Sequence, residues 1–276
     1  MCGIAGIFDL NGQPLAKHLP FLECMLDVME HRGPDDRGSI DLGCLLLGHL
    51  RLSILDLSER GHQPMVSRDG QVCLSYNGEV YNYLELRKEL ESQGIGFTSD
   101  TDTEVVLRAY ERWGIDCFSR FNGMWALALW DNRHKELMLS RDRVGIKPLY
   151  WSFDEGRLTF ASELKAIAAY RQAANAGLEL NRDPIRTYLD TGLVDGQEET
   201  FFKGVFRFKP GHTMVVREGL IRGYRPYWDL PTAALQARAD NRNKSEDQLT
   251  AELFALLDDA VRKHLRSDVP VGICLS

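Results

Sequence analysis

Four places in the chain carry side chains whose chemistry could combine: Cys2, Arg51, the pair Asn77-Gly78, and Asp102. Cys2 directly follows Met1 and precedes the apolar, glycine-punctuated run Gly3-Ile4-Ala5-Gly6-Ile7-Phe8, a buried-strand pattern. With Met1 removed, Cys2 would offer a thiol and a free α-amine on one residue. A thiol is nucleophilic, and an α-amine titrates near ~7.7–8.0, so it can act as the thiol's own general base. At an arbitrary second position a structural cysteine is the commoner outcome, so the other residues must decide. Arg51 is set among apolar neighbours in 44–56. An arginine is seldom buried unless paired, which leaves an exposed edge-strand residue or a fork for a carboxylate, from protein or ligand. Asn77-Gly78 alone is a hairpin signal. A helix start follows it, so the pair is expected between a strand and the approach of a helix. There a side-chain amide and a backbone N–H can point together, as an oxyanion hole requires. Asp102 falls in the first turn of a predicted helix, where the dipole favours a carboxylate; that structural role alone would account for it.

The elements that must position these residues are legible from patterning. Beyond the first strand, strand signals occur in two pieces over 44–56 and at Val72–Tyr76. Four more follow at Met124–Trp130, Glu136–Ser140, Pro148–Phe153 and Leu158–Ala161, and another at Thr213–Arg217. Helical spacing of Leu22, Met25, Leu26 and Met29 predicts a helix over 19–30, broken by His31-Arg32-Gly33-Pro34-Asp35-Asp36. Capping boxes are expected at Asn82/Glu85 and Thr101/Glu104, the second leading a face of Val106, Ala109, Tyr110 and Trp113. Short helices are expected at 163–170 and 183–190. From Tyr224 to Lys244 the chain is turn-rich and then polar, the best linker candidate. Ser245 to Gln248 should cap an amphipathic helix carrying Leu249, Leu253, Leu256, Leu257 and Val261, and Val269 to Ser276 has a buried-strand pattern. A lone helix and strand cannot form a core, so they are expected to begin a further, truncated domain.

Composition narrows the class. Hydrophobic content of 44% and charged content of 26% fit an ordinary globular protein. No run approaches the ~20 apolar residues of a membrane span. The N-terminus lacks the basic region and apolar core of a signal peptide, so a cytoplasmic location and no membrane partner are expected. A net charge of −7 without a dense Lys/Arg block argues against nucleic acid. The six cysteines (Cys2, Cys24, Cys44, Cys73, Cys117, Cys274) show no C-x-x-C pair or Cys/His zinc pattern, so free thiols and no metal site are expected. His31, His49 and His62 are isolated.

Six motifs occur in series: Met1-Cys2-Gly3-Ile4-Ala5-Gly6, His31-Arg32-Gly33-Pro34-Asp35, Arg51-Leu52-Ser53-Ile54, Tyr76-Asn77-Gly78-Glu79-Val80-Tyr81-Asn82, Ser99-Asp100-Thr101-Asp102-Thr103-Glu104, and Arg141-Asp142-Arg143-Val144-Gly145-Ile146-Lys147-Pro148-Leu149. Each is weak alone. Together they closely resemble the glutamine-hydrolysing asparagine synthetases of the bacterial B type, over the whole chain.

The resemblance implies an α+β fold: an N-terminal-nucleophile αββα sandwich of two antiparallel sheets, followed by the start of an α/β ATP-pyrophosphatase domain. The implied organisation is a class II glutamine amidotransferase domain over 2–219, a linker over 220–244 and the start of a synthetase domain over 245–276. It implies Cys2 as nucleophile, with the Asn77 side chain and Gly78 N–H as oxyanion hole. It implies that Arg51 holds the glutamine α-carboxylate, that Glu79 and Asp102 serve the α-ammonium, and that the backbone of Leu52, Ser53, Ile54 and Leu55 lines the pocket. Leu275 and Ser276 look like the entry to the family's pyrophosphate loop. No cofactor is expected for the glutaminase half. The full-length enzyme would use ATP and Mg²⁺ to convert aspartate to asparagine with the released ammonia, and a homodimer is one assembly the resemblance allows. Rival readings are the same glutaminase serving a surface-polysaccharide sugar or a peptide, an N-terminal-nucleophile hydrolase of other amides, and a non-catalytic glutamine-binding regulator.

Overall fold

The computed structural model describes residues 1–194 and 197–272. In chain order its strands are β1 (Gly3–Asp9), β2 (Asp36–Asp41), β3 (Leu45–Arg51), β4 (Met65–Val66), β5 (Val72–Val80), β6 (Gly123–Asp131), β7 (Glu136–Arg141), β8 (Tyr150–Asp154), β9 (Arg157–Ala161), β10 (Val205–Arg207), β11 (His212–Arg217) and β12 (Leu220–Pro226). The α-helices are α1 (Leu19–Asp27), α2 (Tyr83–Ser92), α3 (Asp102–Trp113), α4 (Cys117–Arg120), α5 (Leu164–Ala173), α6 (Arg182–Thr191), α7 (Leu230–Asp240) and α8 (Glu246–His264).

The strands form two six-stranded sheets, ordered β10-β8-β9-β1-β3-β2 and β12-β11-β7-β6-β5-β4. Their pairings are antiparallel. Side-chain alternation builds the layers, because successive residues of a strand face opposite sides. In β1, Ile4 and Phe8 enter the core between the sheets with Ala126, Ala128 and Trp130 of β6. Ala5 and Ile7 face the other way, onto α1 and α5 with Leu22, Met25 and Ile167. Trp125, Leu127 and Leu129 of β6 turn outward to α2 and α3, meeting Leu86, Val106 and Tyr110. This is the αββα sandwich expected from the resemblance. Gly6 is required inside it, since a Cβ there would come 2.2 Å from the Phe160 ring.

Several local expectations need correction. Asn77 and Gly78 are no junction to a helix but paired residues of β5, opposite Ala126 and Trp125; nine residues of ladder outweigh the local turn preference. Asn82 does not cap α2 through its side chain, which instead accepts from Asn122 N at 2.8 Å and donates to Arg120 O at 3.0 Å. The stretch 220–244 carries regular structure: β12 pairs with β11, and α7 follows with Asp229 capping it. At Thr101 only half the box forms, because Glu104 turns away to bond the Thr98 and Ser99 amides. The Ser245/Gln248 box of α8 is complete. Val269 to Gly272 are not in a strand, and the remaining residues of that motif lie outside the described residues.

Candidate active site

β1 and β3 are neighbours with Gly3 opposite Leu50, so the end of β3 delivers Arg51 and Leu52 beside Cys2. The Cys2 Sγ lies 3.4 Å from Leu52 N, which donates to it, and 3.6 Å from Leu52 O. Arg32 Nε donates to the Cys2 carbonyl at 2.8 Å, and Arg32 is held by Glu163 at 2.9 Å. Burial pushes the Cys2 thiol up; the Leu52 amide and the nearby chain amine work against that. Burial also lowers the chain amine.

Arg51 is buried, not an edge residue, because β2 covers β3 at Asp36. Its guanidinium donates to the carbonyls of Ser58 (2.8 Å), Leu55 (3.3 Å) and Asp56. A Cβ on Gly61 would sit 1.9 Å from Arg51 Nη2, so the 55–61 loop closes directly on the fork. Protein carbonyls therefore hold both terminal nitrogens of an arginine that also lines the pocket.

Asn77, Gly78 and Glu79 come from the end of β5. Asn77 is 1% exposed, and its Nδ2 has no hydrogen-bond partner among the described residues. A buried donor left unsatisfied costs roughly 1–3 kcal/mol, so such an atom points to a ligand position. Gly78 admits no side chain: a Cβ would meet Met124 O at 2.5 Å. Burial first, and then the Asp102 charge, push the Glu79 carboxyl up to about 7. Asp102 does more than complement a helix dipole. It accepts from Tyr76 Oη at 2.8 Å and Val80 N at 2.9 Å, tying α3 to β5. Burial raises its pKa, and those bonds oppose the rise.

One cavity of about 70 Å³ gathers Cys2, Arg51, Leu52, Ile54, Leu55, Asn77, Gly78, Glu79 and Asp102, with Met1 also on its wall. Ser53 does not line it; its amide turns outward to Asp35 Oδ2 at 2.8 Å. Leu275 and Ser276 lie outside the described residues. Sequence reasoning missed Gln63, Tyr76, Thr101, Thr103, Met124 and Lys147 on the same wall. Lys147 stood in a motif already singled out, and a lysine between apolar residues was the available signal. Burial lowers its pKa, and its Nζ lies 3.3 Å from Met1 Sδ. Gln63, which accepts from Tyr76 N at 2.7 Å, gave no sequence signal. Among the described residues no histidine lines this cavity. A larger cavity of about 250 Å³ beside α6 shares none of these residues.

The model of the glutamine amidotransferase domain family matches residues 1–228. The chain is 34% identical to the glutamine-hydrolyzing asparagine synthetase 3 of Bacillus subtilis over 278 residues, covering 100% of this chain and 43% of that protein. It is 37% identical to the amidase chyE of Penicillium rubens over 285 residues, covering 100% of this chain and 41% of that protein. The chain spans about half the length, or less, of the curated relatives it matches. Among solved structures, the glutamine phosphoribosylpyrophosphate amidotransferase from B. subtilis superposes with a TM-score of 0.60 at 19% identity, over 82% of this chain and 49% of that one. That likeness establishes the shared fold.

Proposed function

Because the chain belongs to the glutamine amidotransferase domain family, we propose that its pocket hydrolyses L-glutamine to glutamate and ammonia through a thioester on Cys2. The observation that carries this is the convergence of a half-buried thiol, an orphaned amide donor, one guanidinium and two carboxylates in one cavity. Free glutamine has a carboxylate, an ammonium and a reactive amide. Arg51 answers the first, Glu79 and Asp102 the second, and Cys2 with Asn77 and Gly78 the third.

The Cys2 thiolate attacks the side-chain amide carbon. Charge developing on the oxygen is met by Asn77 Nδ2 and the Gly78 N–H. The α-amine exposed on Cys2 after loss of Met1 takes the thiol proton and passes it to the departing nitrogen. Ammonia leaves, and water cleaves the γ-glutamyl thioester. In the longer protein, the ammonia is passed to aspartate activated by ATP and Mg²⁺, yielding asparagine. None of the pocket residues is assigned to that second reaction. The glutaminase module would run past 219 to take in β12, which pairs with β11, and residues 245–276 would be the start of the synthetase module. A second reading keeps the glutaminase and changes the acceptor; the comparable likeness to an amidase favours it.

Cys2→Ala should abolish glutamate release from glutamine; substantial release from that variant would sink the proposal. Pyrophosphate release by full-length protein given ATP and glutamine, with aspartate or with other carboxylates, separates the two acceptor readings.

A further inference from the structure

The segment that follows α8 reaches back across the chain to the glutamine pocket. Asp268 Oδ2 accepts from Asp56 N at 2.7 Å, and Asp268 N donates to Ile54 O at 3.0 Å. Two residues earlier, Arg266 forms a two-pronged ion pair with Glu85 of α2, at 2.8 and 2.7 Å, and also donates to Tyr81 O. The His264 ring lies against the Tyr81 ring, centroids 3.8 Å apart. The residues that reach back, 264–268, lie outside the stretch matched by the family model.

Asp56 is the point where they matter. Its φ of 50° is left-handed, a conformation a non-glycine residue keeps only when its surroundings hold it there. Four groups do so. Its carbonyl accepts from Arg51, its carboxylate accepts from Asp100 N at 3.0 Å and Ser58 N at 3.1 Å, and its amide is taken by Asp268. The Asp56 carbonyl is one of the three that clasp the Arg51 guanidinium. Asp100 in turn leads into Thr101 and Asp102 on the pocket's far wall.

We infer that Asp268 is a positioning residue for the glutamine pocket: its carboxylate, on the Asp56 amide, and its own amide, on the Ile54 carbonyl, fix the 54–58 loop, and through Asp56 they set where Arg51 presents its fork to the substrate α-carboxylate. The inference rests on the role proposed for Arg51. It gives the second module a direct hold on glutamine binding, because anything that moves 264–268 releases one support of that loop. Cys2 is untouched by these bonds, so the effect falls on binding and not on the nucleophile.

The test compares Asp268→Ala with Asp268→Asn in the 276-residue chain, reading glutamate release. Loss of one exposed hydrogen bond to the loop is a modest change, so Asp268→Ala should raise KM for glutamine about three- to tenfold with kcat within about twofold. Asp268→Asn keeps an acceptor oxygen and should restore most of the affinity. Cys2 alkylation provides a second readout. Iodoacetamide, which has no α-carboxylate, should label Asp268→Ala at the unsubstituted rate, while a glutamine-shaped diazoketone should label it more slowly. An unchanged KM in Asp268→Ala, or equal slowing of both reagents, overturns the positioning role while leaving the glutaminase reading intact. No glutamate release from the unsubstituted chain overturns both.

Discussion

Leu52 meets the Cys2 sulfur with both of its backbone groups, the N–H at 3.4 Å and the carbonyl at 3.6 Å. The carbonyl suits a protonated thiol, and the N–H suits a thiolate. The contact thus holds the sulfur in place in either state without choosing between them. With burial raising the thiol and no histidine on the cavity wall among the described residues, the proposed acceptor of its proton is the α-amine that loss of Met1 would leave on Cys2.

That role makes a prediction about N-terminal processing. A chain beginning at Cys2 should hydrolyse glutamine. One carrying a single uncleaved residue ahead of Cys2 should be slower by about 10²–10⁴, the usual worth of a positioned general base. Intact-mass analysis beside glutamate release checks this; full activity in the extended chain would require another base.

Asn77 should show opposite effects on activity and stability. Asn77→Ala removes an oxyanion donor and should lower kcat by about 10²–10³ with KM changed little. It also removes a buried amide nitrogen that has no partner among the described residues, so thermal stability should hold or rise. Kinetics and a melting curve on one preparation decide it. A lower melting temperature with unchanged kcat would make Asn77 a structural residue.

The fold was more legible in this chain than its site geometry, and particular residues say why. The apolar run of β1 marks a strand from local pattern alone, and the strand's period then puts Ile4 and Phe8 on one face and Ala5 and Ile7 on the other; the two-sheet sandwich itself came from the resemblance. Asn77-Gly78 misled because a turn preference is local, while the residues opposite them across the sheet, Ala126 and Trp125, are 49 and 47 residues away in sequence (126 − 77 and 125 − 78). Cys2, Arg51 and Asp102 could be named as chemically apt. Nothing in sequence could show that loop carbonyls already hold Arg51, or that Asp102 answers Tyr76 and Val80. Ser53 was misplaced for a similar reason: in an extended segment alternate residues face opposite ways, and Ser53 turns to Asp35.

Glu79 predicts a pH dependence. Its carboxyl titrates near 7 in the folded chain, above the ordinary glutamate value of 4.5. The folded state therefore holds a proton that the unfolded state has released between those limits. Its contribution to stability is present below about 4.5 and is lost as pH rises through 7. Binding runs the other way, because the substrate ammonium needs the ionised form. KM for glutamine should fall as pH rises from about 6 to 8. Glu79→Gln should flatten that limb and raise KM at every pH. A limb that survives in Glu79→Gln assigns the titration to another group.

Gly61 and Gly70 offer a matched pair that separates fit from backbone freedom. Gly61 is close-packed: a methyl group there would lie 1.9 Å from Arg51 Nη2 and 2.3 Å from its Cζ. The guanidinium would have to leave the Ser58 and Asp56 carbonyls, carrying the proposed carboxylate site with it. Gly61→Ala should therefore raise KM for glutamine at least tenfold, about 1.4 kcal/mol or more of binding, while iodoacetamide still reaches Cys2. Gly70 has a left-handed φ of 71° and open space around it. Gly70→Ala should cost about 1 kcal/mol of stability through backbone strain and leave KM unchanged. Equal KM values in the two variants would mean that Arg51 does not hold the substrate.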